Sequence, residues 1–193
     1  MLRNHAVMGY VLGYSTHTWE LFGARSWMVA YLYWALASQP GAGGPSPTGV
    51  ATIGALIAMV SSVVGADMAV RIGRRRLCVV AMLGSGALAM AIGFCNGLPY
   101  GALAALMLLY NALIQADSAA LTTGAVLAAD PDRRGATLSV HSVLGFSAGF
   151  VGPLAFGMVL DAAGGANTGM AWGLAFASLG AVAALGPLAL RIR

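Results

Sequence analysis

The sequence predicts an all-α, polytopic membrane protein with six transmembrane helices, and three observations indicate this class. Of its 193 residues, 59% are hydrophobic and only 8% are charged, whereas soluble domains carry about 25% charged residues. Apolar segments follow one another along the chain, and they approach or exceed the roughly 20 residues that a helix needs to cross a bilayer. Short stretches rich in Gly, Pro or Arg separate them. Residues 1–193 are therefore expected to form a single six-span membrane domain.

The six predicted spans differ in the breaks that follow them. They cover about residues 6–38, 50–70, 77–94, 100–129, 137–160 and 170–190. Glycine, proline and asparagine, which interrupt helices, follow the first, third and fifth spans. Arginine-containing loops with the sequences RIGRRR and DPDRRG follow the second and fourth spans.

The ten basic residues are all arginines, and nine of them obey one topological rule. These nine lie in the two arginine-containing loops or at the termini. Because positive residues stay on the cytoplasmic side of a membrane, both termini and both loops are predicted to face the cytoplasm, in an inner (plasma) membrane. The net charge of +4 is thus a signal of topology in membrane lipid, and no soluble basic domain is present to bind nucleic acid.

The first span carries three ionisable residues near its centre, His17, Glu20 and Arg25. Such groups are costly in hydrocarbon, so they usually face a protein interior or a water-filled cavity. His17 and Glu20 share one helical face, whereas Arg25 points about 140° away from Glu20 and is expected to reach another helix. The alternative to a functional role is a structural one, in which each charge is bonded to a neighbouring helix.

The fourth span brings Asp117 to a similar depth, with Gln115 beside it. Glu20 lies about 20 Å and Asp117 about 17 Å along their helices from the cytoplasmic end. Two acids at one depth predict a shared polar cavity, with His17, Glu20, Arg25, Gln115 and Asp117 as a substrate or proton pathway. Carboxylates and histidines suit proton transfer when they are buried. Arg25 is either the partner of an acid or the anchor of an anionic substrate.

The fifth span contains small residues at helical spacing and a proline, which include Gly149, Gly152 and Pro153. Glycines at such spacing let helices approach closely, and a proline removes a backbone hydrogen bond and bends or loosens its helix. These residues are predicted to serve packing or a hinge, and simple packing is the alternative without function. His141 lies near the cytoplasmic end of the same span, where hydration is expected.

The residue pattern does not predict an enzyme. His17 and Glu20 have a spacing that metal sites use, but no second pair of ligands occurs on another span. A phosphate-binding loop, a Ser/His/Asp set and a CxxC motif are also missing. Cys78 and Cys95 lie about 25 Å apart along one predicted helix, too far for a disulfide. The sequence therefore predicts no metal and no cofactor.

Several stretches resemble a known family. The loop RIGRRR at residues 71–76 resembles the cytoplasmic signature of the major facilitator superfamily, with Val70 where the signature has an acid and Asp67 one turn away. The segments GYSTHTWELFGARSW, ADSAALTTG and DPDRRGATLSVHSVLGFSAGFVGPLAFGMVLD resemble helices seven, ten and eleven of bacterial members. The resemblance covers nearly the whole chain.

This resemblance implies half of a facilitator transporter, namely helices seven to twelve as two inverted three-helix repeats. It implies alternating-access transport of a small-molecule substrate, proton-linked, with a second six-helix half as a separate chain or a second copy. It also implies a cytoplasmic clasp, whose members are Asp67, Arg71, Gly73, Arg74 and Arg75. The alternatives are a non-transporting membrane subunit and a truncated or degenerate remnant of such a transporter.

Overall fold

The computed structural model describes residues 3–192, and throughout that range it contains helices and connecting turns but no strand. The α-helices in chain order are α1 (His5–Ala37), α2 (Pro47–Ile72), α3 (Arg74–Ile92), α4 (Tyr100–Gln115), α5 (Ser118–Ala128), α6 (Arg134–Ala162), α7 (Gly169–Ala183) and α8 (Gly186–Ala189). A short 3-10 helix, Pro131–Arg133, precedes α6. The predicted all-α class is confirmed, with the fourth span divided into α4 and α5 and the sixth into α7 and α8.

Within residues 3–192, five helical stretches are long and apolar enough to cross a membrane. They are Pro47–Ile72, Arg74–Ile92, Tyr100–Ala128, Pro131–Ala162 and Gly169–Ala189. α1 has 33 residues, so it is also long enough, but with its polar centre it is not among these five. On α2, Met59, Val63 and Val70 are 68%, 72% and 74% exposed, as expected of a surface that contacts lipid or another membrane helix. The chain has the character of a helical membrane protein.

α1 lies at the centre of the bundle. It contacts α2, α4, α5, α6, α7 and α8, and its buried residues occur all around the helix rather than on one stripe. A helix enclosed in this way is shielded from lipid on most sides. The span that carries the most ionisable residues in its middle is therefore the one that the rest of the protein surrounds.

The other spans pack in a regular order around α1. α1 packs along α6, α2 along α4, and α3 along α7. α7 and α8 also contact α1, and α3 contacts α4 and α5. The start of α1 and α3 and the end of α8 meet at one end of the bundle, where the guanidinium group of Arg75 lies over the ring of Tyr10. This end, which holds the described arginines other than Arg25, is called the arginine-rich end below.

Polar caps and a glycine set three of the helix ends. The side-chain oxygen of Asn4 accepts a hydrogen bond from the Val7 N–H, and the Ser46 hydroxyl accepts one from the Gly49 N–H, each at 3.1 Å. These bonds satisfy N–H groups that have no partner within the helix. Gly73 separates α2 from α3 with a φ of 92°, a left-handed conformation that favours glycine. Turn geometry therefore explains Gly73 without a clasp.

The fourth predicted span is interrupted at its centre, where Ala116 and Asp117 separate α4 from α5. The Ala116 N–H bonds to the carbonyl of Leu113, three residues back, so the helix tightens locally. α2 approaches closely at this level, because a side chain at Gly65 would collide with the Ala116 carbonyl oxygen. The sequence predicts one continuous helix here because no Gly or Pro marks the break.

The predicted stripe of small residues in α6 packs against α1. A Cβ atom at Gly149 would lie 2.5 Å from the ring of Phe22, and one at Gly152 would lie 2.5 Å from the carbonyl oxygen of Trp19. Both distances are too short for a side chain, so the close approach of the two helices depends on glycine at these positions.

Pro153 does not end α6, which continues to Ala162. The Pro153 carbonyl accepts a hydrogen bond from the Trp27 indole at 3.0 Å, and Trp27 stacks on Phe156 with ring centroids 5.4 Å apart. The same aromatic cluster includes Tyr31, Trp34, Trp172 and Phe176. Pro153 thus lies in a packed contact away from the arginine-rich end, and its hinge role stays a prediction.

We expect Gly152→Ala to destabilise the fold, because the added methyl group would meet the backbone of Trp19. Overpacking of this kind costs about 1–3 kcal/mol. Gly135→Ala is the matched control in the same helix, since nothing lies within 4 Å of its Cβ position. Thermal unfolding of both variants in detergent measures the difference, and equal midpoints would contradict a tight contact between α1 and α6.

Candidate functional site

A buried contact between two ionisable side chains joins α1 to the break between α4 and α5. His17 Nδ1 lies 2.8 Å from Asp117 Oδ1, and the two side chains are 2% and 3% exposed. Asp117 occupies the break itself, directly before α5. Two residues that the sequence assigns to one pathway, from the first and fourth predicted spans, are therefore in contact.

Glu20 lies beside this pair in the interior of the bundle. Its Oε2 atom accepts a hydrogen bond from the Ser85 hydroxyl of α3 at 2.9 Å. The Tyr110 hydroxyl of α4 and the Asp117 carboxyl group lie near the same carboxyl group. The Glu20 side chain is buried. Polar groups thus lie together in one place, and they come from α1, α3, α4 and the α4–α5 break.

On the other side of His17, aromatic stacking connects α1 to α6. The ring of Tyr14 stacks on His17 and on His141, with centroid distances of 5.7 and 3.9 Å. His141 Nε2 lies 3.2 Å from the Thr122 hydroxyl of α5. We call the whole set the buried polar cluster, and its members are Ser85, Glu20, Tyr110, Asp117, His17, Tyr14, His141 and Thr122.

His141 corrects one expectation from the sequence. Its position near a span end predicts hydration, but its side chain is buried against Tyr14. The physical reason is the close contact of α6 with α1, which covers this part of α6. Nε2 of His17 and Nδ1 of His141 are buried with no hydrogen-bond partner in residues 3–192. Because buried polar atoms are usually paired, unused hydrogen-bonding capacity favours a functional role for these rings.

An open cleft of about 530 Å³ lies next to the buried polar cluster. Helices α1, α2 and α6 line it together with the region of the α4–α5 break, whereas α3 and α7 contribute no lining residue. The lining residues are Tyr14, His17, Thr18, Leu21, Phe22, Arg25, Ala55, Ala58, Met59, Ser62, Val63, Gln115, Ser118 and Phe146. Tyr14 and His17 belong both to this lining and to the buried polar cluster. None of the lining residues is a carboxylate.

Arg25 is exposed at this cleft. Its Nη2 atom donates a hydrogen bond to Gln115 Oε1 at 3.0 Å. Arg25 thus reaches another helix, as its angular position predicts, but its partner is a neutral amide rather than an acid. It lies about 18 Å along α1 from the end at Ala37, so the cleft presents a cation at the depth of the hydrocarbon core.

The two acids do not line this cleft. Glu20 and Asp117 are buried behind it, whereas Arg25 and Gln115 form part of its wall. The single shared cavity that the sequence predicts is therefore divided in the structure. A buried ionisable cluster and an open cleft lie side by side, and His17 contacts both.

The predicted clasp residues are close in sequence, but Asp67 does not connect them into one network between helices. Asp67 Oδ2 lies 2.8 Å from Arg71 Nε within α2, with side chains 60% and 73% exposed. Arg75 crosses from α3 to α1, where its guanidinium lies 5.9 Å from the centroid of the Tyr10 ring. For Arg74 the described residues provide no ion pair. The Asp67–Arg71 pair is therefore an ordinary exposed contact within one helix.

Two members of the buried polar cluster, Ser85 and Tyr110, carry no signal that the sequence reveals, because their neighbours are known only after packing. Thr122 follows Asp117 in the same predicted span, so the sequence already places its hydroxyl among the polar groups around that acid. Tyr14 could have been found, because it lies three residues before His17 on the same helical face.

No metal centre is formed by the described part of the chain. Within residues 3–192, no three His, Cys, Asp or Glu side chains group in a way that could hold a metal ion. Cys78 and Cys95 are both free. No protein-family model matches the chain, and no curated protein matches it in sequence.

We expect His17 and Asp117 to be energetically coupled, because removing either one leaves the other buried without its partner. A double-mutant cycle of His17→Ala and Asp117→Ala, read from unfolding in detergent, should give a coupling of about 1–3 kcal/mol. The control cycle removes Asp67 and Arg71, an equally short but exposed pair, and should give about 0–1 kcal/mol. Additive effects of the His17 and Asp117 changes would contradict the buried pair.

Proposed function

We propose that this chain is one six-helix half of a facilitator-type secondary transporter, which moves a small solute across the cell membrane by alternating access in a proton-linked way. The observation that carries the proposal is the buried His17–Asp117 pair beside Glu20, in the middle of a bundle of apolar helices. Ionisable groups at that depth usually serve a substrate or proton pathway.

The packing order of the spans supports two inverted repeats of three helices. Exchanging each span with the one three places along pairs the first span with the fourth, the second with the fifth and the third with the sixth. The contact of α1 (first span) with α6 (fifth span) then corresponds to the contact of α4 (fourth span) with α2 (second span). The contacts of α1 with α7 and α8 correspond in the same way to those of α4 and α5 with α3, and the contact of α3 with α7 corresponds to itself. Because three is an odd number, repeats related in this way run through the membrane in opposite directions.

The proposed coupling step uses the His17–Asp117 pair as a switch. When His17 carries a proton and Asp117 is ionised, the two side chains form a charged pair that holds the fourth span against α1. Loss of the proton leaves a buried carboxylate close to Glu20 with no opposite charge, which is unfavourable at low dielectric. Proton binding therefore changes how tightly the first and fourth spans pack, and these spans border the cleft that would bind the solute.

The cleft favours an anionic solute. Arg25 is its only permanently charged lining residue, its partner Gln115 is neutral, and no carboxylate faces it. A guanidinium group binds carboxylate or phosphate through two parallel hydrogen bonds. The acids that would favour a cation are buried behind the cleft.

The exposure of Arg25 also supports a second six-helix half. A cation that faces lipid in the hydrocarbon core is costly, so the cleft side is expected to face protein and water. A second half, provided by another chain, by a second copy or by a further part of the same polypeptide, would cover that side. We propose that the arginine-rich end faces the cytoplasm, in accordance with the positive-inside rule.

A second candidate is a non-transporting membrane subunit or a degenerate remnant of a transporter. The observation that favours it is the arginine loop, in which Asp67 pairs within its own helix instead of bridging to another. Such a protein would tolerate Glu20→Gln, or would lose its assembly altogether.

The proposed function predicts that Glu20→Gln abolishes proton-linked transport. The variant replaces the native copy in cells, and sealed membrane vesicles containing a pH-sensitive dye receive small carboxylates, amines and neutral sugars in turn. We expect one or more carboxylates to drive a protonophore-sensitive pH change in native vesicles, and Glu20→Gln to reduce it to the level of vesicles without the chain. Asp161→Asn, which alters an exposed carboxylate at the end of α6, should behave like the native chain.

Two outcomes would contradict parts of this account. Full proton coupling in folded Glu20→Gln would remove Glu20 from the mechanism. A response to amines but not to carboxylates would contradict the anionic solute while leaving the transport function in place.

A further inference from the structure

We propose that a second cleft, at the arginine-rich end between α3 and α8, binds an anionic phospholipid. The arginines would hold the phosphate of the headgroup, and an adjacent apolar strip would contact an acyl chain. This inference is independent of the transport proposal, because none of the residues involved belongs to the buried polar cluster or to the cleft at Arg25.

The cleft combines two segments that are far apart in the sequence. It has a volume of about 570 Å³. Arg75 and Arg76 come from the first turn of α3, and Arg191 follows α8. The remaining lining residues are Val79, Val80, Pro187 and Leu190. Three guanidinium groups and four apolar side chains thus surround one space.

The three guanidinium groups have no carboxylate side chain to compensate them within residues 3–192, where the close acid–base contacts are His17–Asp117 and Asp67–Arg71. Arg75 lies over the ring of Tyr10, a contact that leaves its charge uncancelled. Arg76 and Arg191 are exposed. Concentrated, uncompensated positive charge of this kind attracts phosphate, which guanidinium groups bind in a bidentate manner.

The position of the cleft distinguishes a lipid from a soluble anion. Arg75 and Arg76 begin a helix that is long and apolar enough to cross a membrane, so they lie where headgroups meet hydrocarbon. Val80 is 61% exposed one turn further along α3, in the direction in which an acyl chain would run. Basic pockets between membrane helices are known to bind anionic headgroups in this arrangement. A free phosphate ion would use the arginines but would gain nothing from the apolar strip.

Binding a lipid here would join the start of α3 to the end of α8. Both segments are at the arginine-rich end, and the residues that line the cleft bring like charges together. Their mutual repulsion disfavours close packing unless an anion lies between them. The lipid would therefore stabilise the contact between the third and the sixth spans.

Native mass spectrometry of the purified full chain with phosphatidylglycerol, and separately with phosphatidylcholine, tests the proposal. We expect preferential retention of phosphatidylglycerol.

In the triple variant Arg75→Gln, Arg76→Gln, Arg191→Gln, affinity for phosphatidylglycerol should fall on the order of 100-fold, since each arginine near an anionic surface contributes roughly a factor of five. The control triple variant Arg3→Gln, Arg133→Gln, Arg134→Gln removes the same charge from the same end and should retain the lipid. If the first triple variant does not fold, the single change Arg191→Gln, beyond α8, should weaken binding about fivefold.

Three results would overturn the proposal. The first is an equal loss of lipid in the two triple variants, which would indicate diffuse attraction by total charge. The second is equal retention of phosphatidylcholine and phosphatidylglycerol by the native chain. The third is competition by millimolar inorganic phosphate that removes the lipid completely, because the site would then recognise a free anion.

Discussion

A charged side chain in the hydrocarbon core of a membrane is costly unless protein or water surrounds it, and the arrangement of this bundle follows that constraint. α1 carries His17, Glu20 and Arg25 in its middle, and it is also the helix that contacts almost every other helix. His17 and Glu20 are enclosed and meet polar partners from α3 and from the α4–α5 break. The central position of α1 is thus linked to its charges. The outer positions face lipid, and the more apolar helices can occupy them.

Enclosing α1 requires close packing, and small residues allow it. The α6 stripe at Gly149 and Gly152 lets that helix approach the α1 backbone, and Gly65 lets α2 approach the Ala116 carbonyl beside Asp117. The second contact lies at the break in the fourth span, next to the carboxylate that pairs with His17. Packing and chemistry are therefore coupled at this level of the bundle. Arg25 is the exception, because it is exposed at the cleft, and this exposure is the reason for proposing a second half that covers it.

The sequence predicts the helices well because their signals are local. Apolar runs, the proline at the start of α2 and the glycine between α2 and α3 act within a few residues. Depth along each helix also brought Glu20 and Asp117 to one level, since the rise per residue is fixed. The break at Ala116, the contact of Ser85 with Glu20 and the burial of His141 depend on which helices become neighbours. That choice is made by surfaces far apart in the chain, so no local pattern reveals it.

The most direct test of the central claim, that the cleft side faces a second half, is photo-cross-linking in native membranes. A photoreactive residue at Met59, an exposed position that lines the cleft, is compared with one at Leu83, an exposed position on α3 outside it. The account predicts that Met59 forms a protein adduct, which mass spectrometry identifies as a second six-span unit, while Leu83 labels lipid. Lipid adducts alone at both positions would contradict a covered cleft and, with it, the half-transporter.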